Sequence, residues 1–280
     1  MKKIAANTFL IILLFYVGSV YADTYNAQTD KTDLSHSRGI INKQADNDWA
    51  ILIGGIISFP KLDEANQRIH DIEKFLKTLS PEVKTFKDWD DITKGALLIG
   101  VKRRIVSNLF LKNSNMWGEI GFAYTKGGIK NSQSNIRTIY GPGAEASYSQ
   151  SVEYKTWETV FRTTYDFPPV LKLTPTLALA IGYRHLDINS YFNGSIPAIP
   201  ISQTVNASGN TDDWVYMVSS GLKYTHSSGI FIELAGEYNW NKMKGTLEID
   251  SRGDQLYIVT PDYVVDFTGF SIITFIGKEF

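Results

Sequence analysis

The chain has 280 residues, a formal net charge of −1 and no cysteine. A balance so near neutral, without a basic tract, argues against a nucleic-acid partner, and the lack of cysteine excludes a disulfide framework or a thiolate metal site. Aromatic residues make up 13% of the chain and Gly contributes 22 residues, while no apolar run after the first two dozen positions approaches about 20 residues, which excludes helical membrane spans and favours a β-rich chain of short alternating strands.

The N-terminus "MKKIAANTFLIILLFYVGSVYA" places Lys2 and Lys3 before an apolar run from Phe9 to Val17 and small residues ending at Ala22. It predicts a secretory signal peptide over residues 1–22, the run being short for a membrane anchor. Without those two lysines the charge moves from −1 to −3. Residues 23–47 are polar and aperiodic and predict a flexible periplasmic tail.

From Asp48 onward, eight segments carry strand character: 48–59, 94–106, 115–126, 151–165, 175–187, 213–225, 230–243 and 265–280. In "GIFIELAGEYNW", Gly229 to Trp240, isoleucine, leucine and aromatics alternate with Glu233, Glu237 and Asn239. The same period of two recurs in the other segments. Connections alternate in length, with "SNLFLKN", "DFPPVLKLT" and "HSSG" at one end and longer stretches at the other. The prediction is an all-β, eight-stranded antiparallel transmembrane barrel over residues 48–280, with turns in the periplasm and four loops outside.

Parity then assigns facing. Trp49, Ile51, Leu97, Ile120, Phe161, Leu179, Trp214, Ile232 and Ile276 turn to lipid, with Arg103 as the exception, able to snorkel from near the inner end of its strand. Lys102, Arg104, Arg162, Arg184 and Lys223 turn inward with Glu119, Glu158, Glu233, Glu237 and Glu279. An eight-stranded tube has room only for its own side chains, and buried charges must be paired. The interior is therefore expected to be a polar plug rather than a pore.

In the first long loop, "PKLDEANQRIHDIEKFLKTLSP" repeats apolar residues at helical spacing between two prolines and predicts an amphipathic helix. Its stripe, with Ile69, Ile72, Phe75 and Leu76, serves either as a lid on the barrel or as a docking face. In the last loop, "GTLEI" and "QLYIV" alternate and predict a hairpin. Between them Arg252, Gly253 and Asp254 form the tripeptide read by integrins, although a polar turn around Gly253 is the plainer reading. The four histidines are scattered, and no phosphate loop or nucleophile elbow occurs, so no metal and no cofactor is expected.

The C-terminal "GFSIITFIGKEF" closes an alternating strand on Phe280, which resembles the sorting signal read by the barrel assembly machinery, with Lys278 departing from it. Over residues 48–280 the eight segments, the alternating connections and this ending resemble the OmpA-like and opacity-type family of small surface barrels. The resemblance is architectural. It implies an outer-membrane location in a Gram-negative cell, contact with outer-membrane lipid and lipopolysaccharide, and a non-enzymatic structural or adhesive role toward a host or matrix ligand. A narrow porin is the alternative. The stretches Asp88 to Asp91 and Arg184 to Asp187 also resemble the paired acids and Asp–His of omptin proteases, with the His–Asp order reversed, but loop-end solvation accounts for them more simply. "HSSG", His226 to Gly229, is similar to the His-x-Ser of lipid A deacylases yet falls in a tight inner turn.

Overall fold

A computed structural model of the chain describes residues 48–60, 62–88, 94–197, 201–254 and 261–280; the expected signal peptide and tail lie outside these. In chain order come β1 (Trp49–Pro60), α1 (Asp63–Leu79), β2 (Lys94–Ser107), β3 (Asn115–Arg137), β4 (Glu145–Asp166), β5 (Leu173–Ile196), β6 (Ile201–Thr225), β7 (Ile230–Trp240), β8 (Lys242–Thr246), β9 (Glu248–Gly253), β10 (Asp262–Asp266) and β11 (Gly269–Glu279). The strand order β5-β4-β3-β2-β1-β11-β7-β6 closes on itself because β6 also pairs with β5. The result is the expected eight-stranded antiparallel barrel.

Its stagger is read from the register. From Ala50 the ladder passes through Lys102, Glu119, Arg162, Ala180, Met217, Asn239 and Gly269, and returns to β1 at Pro60, ten residues further on. With about 3.4 Å of rise per residue and strands about 4.8 Å apart, that stagger sets a tilt of about 40° and a backbone radius of about 8 Å. Such a tube holds side chains and little else.

Facing follows parity as expected. Ile232 and Leu234 are 51% and 57% exposed on the outer wall, whereas Glu233 and Glu237 are 8% and 3% exposed within. The outer wall is an apolar band. Its upper edge is a girdle in which Tyr124 lies against Trp157, Tyr183 against Trp214 and Tyr238 against Trp240. Among the described residues no helix is long and apolar enough to cross a membrane; the strands do so.

The wall is uneven in height. β3 to β6 run to 22 to 25 residues, while β1, β2, β7 and β11 run to 11 to 14. Spanning needs about 9–11 residues, so four strands rise far above the girdle. The extra length lies beyond the segments expected from sequence, at 127–137, 145–150, 188–196 and 201–212. The connections at that end between β3 and β4 and between β5 and β6 are correspondingly brief. Along these strands the polarity inverts. On β4 the outward side is apolar at Trp157 and Phe161 but polar at Ser151, Glu153 and Lys155, while the inward side turns from Arg162 and Glu158 to Tyr154, Val152 and Tyr148. Water replaces lipid outside, and the burying side changes with it.

The inward side of the raised sheet is covered by α1. Leu62, Ile69, Ile72 and Leu76 join Ile129, Tyr148, Leu186, Phe192, Met243 and Tyr263 in one apolar core, with Phe75 packed against it. The last loop folds over the same core. Lys242–Thr246 pairs with Asp262–Asp266, and Glu248–Gly253 adds to the edge of β6; "QLYIV", the partner of "GTLEI" in the expected hairpin, lies outside the described residues.

The three short connections meet at the opposite end. Gly229 closes "HSSG" at φ +81°, in the left-handed region that glycine enters freely, and the C-terminal strand abuts it through the Glu279 N–H donating to the Gly229 carbonyl at 2.9 Å.

Because polarity inverts along the tube, an arginine should be costly according to depth. Leu234→Arg, halfway along β7, should cost about 2–4 kcal/mol and Ile230→Arg, at the short-turn end, about 0–1 kcal/mol. Urea folding equilibria in lipid vesicles measure both, and equal costs would contradict the assigned band.

Candidate functional site

The inward face of β4 explains the interior. Glu158, Arg162 and Asp166 lie four residues apart on one side of a strand and reach the lumen at successive levels. At the short-turn end, Asp166 accepts a hydrogen bond from the Trp117 indole N–H at 2.9 Å and holds the Lys223 ammonium. Lys223 also pairs with Glu279 at 3.2 Å. Lys102 stands 4.2 Å above the Phe231 ring and 5.0 Å above Trp117, with the Arg104 guanidinium 5.2 Å from that same indole. One level up, Arg162 donates to Glu237 at 2.7 Å and lies 3.6 Å from Glu119. Its guanidinium sits 5.3 Å from the Phe275 ring. Above that, Arg184 directs Nε and Nη2 at Glu158, at 2.9 and 2.6 Å, and Nη1 at the Asn241 carbonyl oxygen at 3.0 Å. Glu233 accepts from the Thr176 hydroxyl at 2.9 Å.

All ten inward charges expected from parity are therefore in the lumen. Missing from that set is Asp166, 2% exposed. Its parity with Arg162 marks it, but it stands where the strand enters "DFPPVLKLT" and reads there as turn solvation. The inward rings of Trp117, Phe231, Phe275 and Phe267 are also unexpected. They form cation–π faces for the lysines and arginines, which helps so many charges share a narrow tube. Three ionic levels, with aromatic rings among them, occupy the lumen.

The loop residues fall into place separately. Ile69, Ile72 and Leu76 are buried under the raised sheet and Phe75 is packed beside them, so the stripe of α1 faces this protein's own core. The lid is tied down on its other side. The Glu73 carboxylate takes the Phe86 N–H at 2.9 Å, the Lys77 ammonium at 2.5 Å and His70 at 3.2 Å. The following segment binds β3 through Lys84 N–H to Gln133 at 3.0 Å and Lys87 N–H to Asn131 at 3.1 Å. Arg252 and Gly253 end the β9 ladder and Asp254 follows it. The Asp254 carboxylate accepts the Ser202 N–H at 3.2 Å, and Arg252 turns back to Asp250 at 2.9 Å. The tripeptide is part of a sheet edge and its carboxylate is engaged.

Of the omptin-like constellation, the described members, Asp88 and His185, take separate partners. His185 lies on the outward side of β5 between Asp212 at 2.8 Å and Asp187 at 3.2 Å, while Asp88 bonds His70 of the lid at 2.8 Å. Asp90 and Asp91 lie outside the described residues. Among the described residues no cluster of acidic residues and histidines could hold a metal ion.

No known family model matches the sequence, and no curated protein matches it. Comparison with solved structures gives distant similarities. The attachment invasion locus protein Ail of Yersinia pestis is 11% identical, with 83% of this chain and 97% of that one covered and a TM-score of 0.37. The outer membrane protease OmpT of Escherichia coli is 11% identical, with 67% and 64% covered and a TM-score of 0.38. A major outer membrane protein of Thermus thermophilus is 8% identical, with 83% and 99% covered and a TM-score of 0.33. The architecture itself rests on the chain's own closed ladder and apolar wall, which are those of an outer-membrane-type barrel.

Two measurements test the interior and the lid. Arg162→Met strands the buried carboxylates of Glu119 and Glu237 and should cost about 3–5 kcal/mol, most of it recovered in the Arg162→Met, Glu237→Leu double variant; a double loss equal to the sum of the Arg162→Met and Glu237→Leu losses would mean the pair carries no coupling. Burial pushes the Glu73 carboxyl up, but Lys77, the Phe86 N–H and His70 outweigh it and hold the group below its ordinary 4.5. With the folded value depressed, the lid gains stability that is complete above 4.5 and is lost as pH falls through the folded value. Amide exchange in α1 should therefore accelerate at acid pH, and Glu73→Gln should remove that dependence. An unchanged pH profile in the variant would refute the assignment.

Proposed function

We propose that the chain is a non-enzymatic surface protein of the bacterial outer membrane, acting through the water-facing side of its raised sheet. The observation that carries this is the occupied lumen. Ionic clusters with aromatic rings occupy three levels, and the α1 core covers the end above them. Side chains filling the tube at every level favour this reading over a porin. The separate placement of His185 and Asp88 likewise supports a protein without the omptin chemistry.

What distinguishes the molecule is the height of β3 to β6 on one side. Their outward faces align in polar rows, Glu153 with Asn189, Ser208 and Glu248, and Ser151 with Tyr191, Asn206 and Asp250. These rows line a groove of about 540 Å³. An exposed Tyr among amides and carboxylates suits adhesive contact, because it presents a large ring at low entropic cost beside adaptable hydrogen bonds.

Purified protein in planar bilayers should give no steady conductance, and Arg184→Ala should not create one, since two ionic levels remain below it. Displayed on a non-adherent bacterium, the barrel should raise attachment to host cells or matrix. Tyr191→Ala and Glu153→Lys should lower that attachment and Arg252→Ala should not. Steady conductance in the unaltered protein, or attachment that ignores Tyr191, would overturn the reading.

A further inference from the structure

On the lipid-facing wall, close to the short-turn end, the outer surface is broken by an apolar groove of about 680 Å³. One rung of the ladder makes it. Reading outward positions across β1 to β5, the rung runs Trp49, Arg103, Gly118, Thr163 and Leu179. Gly118 offers no side chain and Thr163 a short one, so the floor is low, bounded on one side by the Ile105 side chain, whose Cδ1 lies 3.0 Å from where a Cβ on Gly118 would stand, and on the other by Val101, Ile120 and Phe161. A hydrocarbon solvent fills such a recess with an acyl chain.

The rim adds charge. Arg103 is the outward residue that violates the apolar band, and it lies over the Trp49 ring at 5.2 Å. Trp49 in turn exchanges backbone hydrogen bonds with Phe280, donating at 3.4 Å and accepting at 2.8 Å, and Lys278 lies 5.1 Å over the Phe280 ring. Two cations thus flank a pair of exposed aromatics at the membrane boundary. Among the described residues, neither has a carboxylate within ion-pair distance. A cation beside an interfacial ring at the mouth of an acyl-sized groove complements a lipid phosphate and is poorly matched to a zwitterion's cationic end.

We infer that this groove is a binding site for an anionic phospholipid of the periplasmic leaflet, with its phosphate at Arg103, supported by Lys278, and one acyl chain lying over Gly118 and Thr163. The inference rests on the membrane reading above and deepens it by naming a lipid class and a place. Snorkelling then becomes a use for Arg103.

The full chain is folded into phosphatidylcholine vesicles carrying spin-labelled phosphatidylglycerol or, in parallel, spin-labelled phosphatidylcholine, and the immobilised fraction is read by electron paramagnetic resonance. Phosphatidylglycerol should be preferred by about five-fold, the scale expected of one cation near a membrane surface. Arg103→Gln should abolish the preference, and Lys278→Gln should lower it. Gly118→Leu fills the floor without altering charge and should lower immobilisation of phosphatidylglycerol. A preference that survives Arg103→Gln, or immobilisation indifferent to Gly118→Leu, overturns the site. Stronger immobilisation of spin-labelled lipid A than of phosphatidylglycerol overturns the choice of occupant. A gel comparing boiled and unboiled samples separates these from failure to insert, which would count against the membrane reading instead.

Discussion

Within hydrocarbon every backbone N–H and C=O must find a partner in the protein. Eight strands satisfy this by closing, and closure is possible only at a fixed stagger. The return of the ladder from Ala50 to Pro60 fixes tilt, radius and the inward set together. A slip of one residue on any strand would carry Arg162 or Glu237 into lipid and Phe161 or Tyr238 into the lumen. The ionic levels and the apolar band therefore enforce the same register from opposite sides of the wall.

This shared dependence explains what could be read from the sequence. Parity alone yields the number of strands, the short connections and the ten inward charges, because alternation is a local property. It fails where the surroundings change while the strand continues. Above Trp157 the outward positions of β4 become Lys155, Glu153 and Ser151, and the expected alternation with its apolar side outward disappears although the backbone stays extended. The same happens on β5 past Tyr183 and on β6 before Trp214. Sequence reading assigns these stretches to loops, when they are strands whose apolar side has moved inward.

The interior shows a second limit. Charges are legible as charges, but their partners are not, since Arg162 meets Glu237 across 75 positions of chain and Arg184 meets Asn241 across 57. The inward aromatics are harder still. Phe231 and Phe275 share the parity of Glu233 and Glu237 yet resemble lipid-facing residues in type. Only the three-dimensional arrangement shows that a lysine beside a ring needs less water than a lysine alone. The helix of the first loop is legible in its period and prolines, while the choice between lid and docking face depends on the raised sheet, which alternation alone leaves as loops.

The seam of the tube joins the first strand of the barrel to the last, Ala50 opposite Glu279 and Pro60 opposite Gly269. Every other neighbouring pair in the wall, except β1 with β2 and β7 with β11, is joined by a short connection and can zip locally, but this pair brings together residues more than two hundred positions apart. No closed cylinder exists until the C-terminal strand has been delivered. Until then the growing sheet has two raw margins in contact with its surroundings, and biogenesis must shelter both at once. The finished molecule has no free margin in its membrane belt, so unfolding there has no natural starting point and persistence becomes a matter of kinetics.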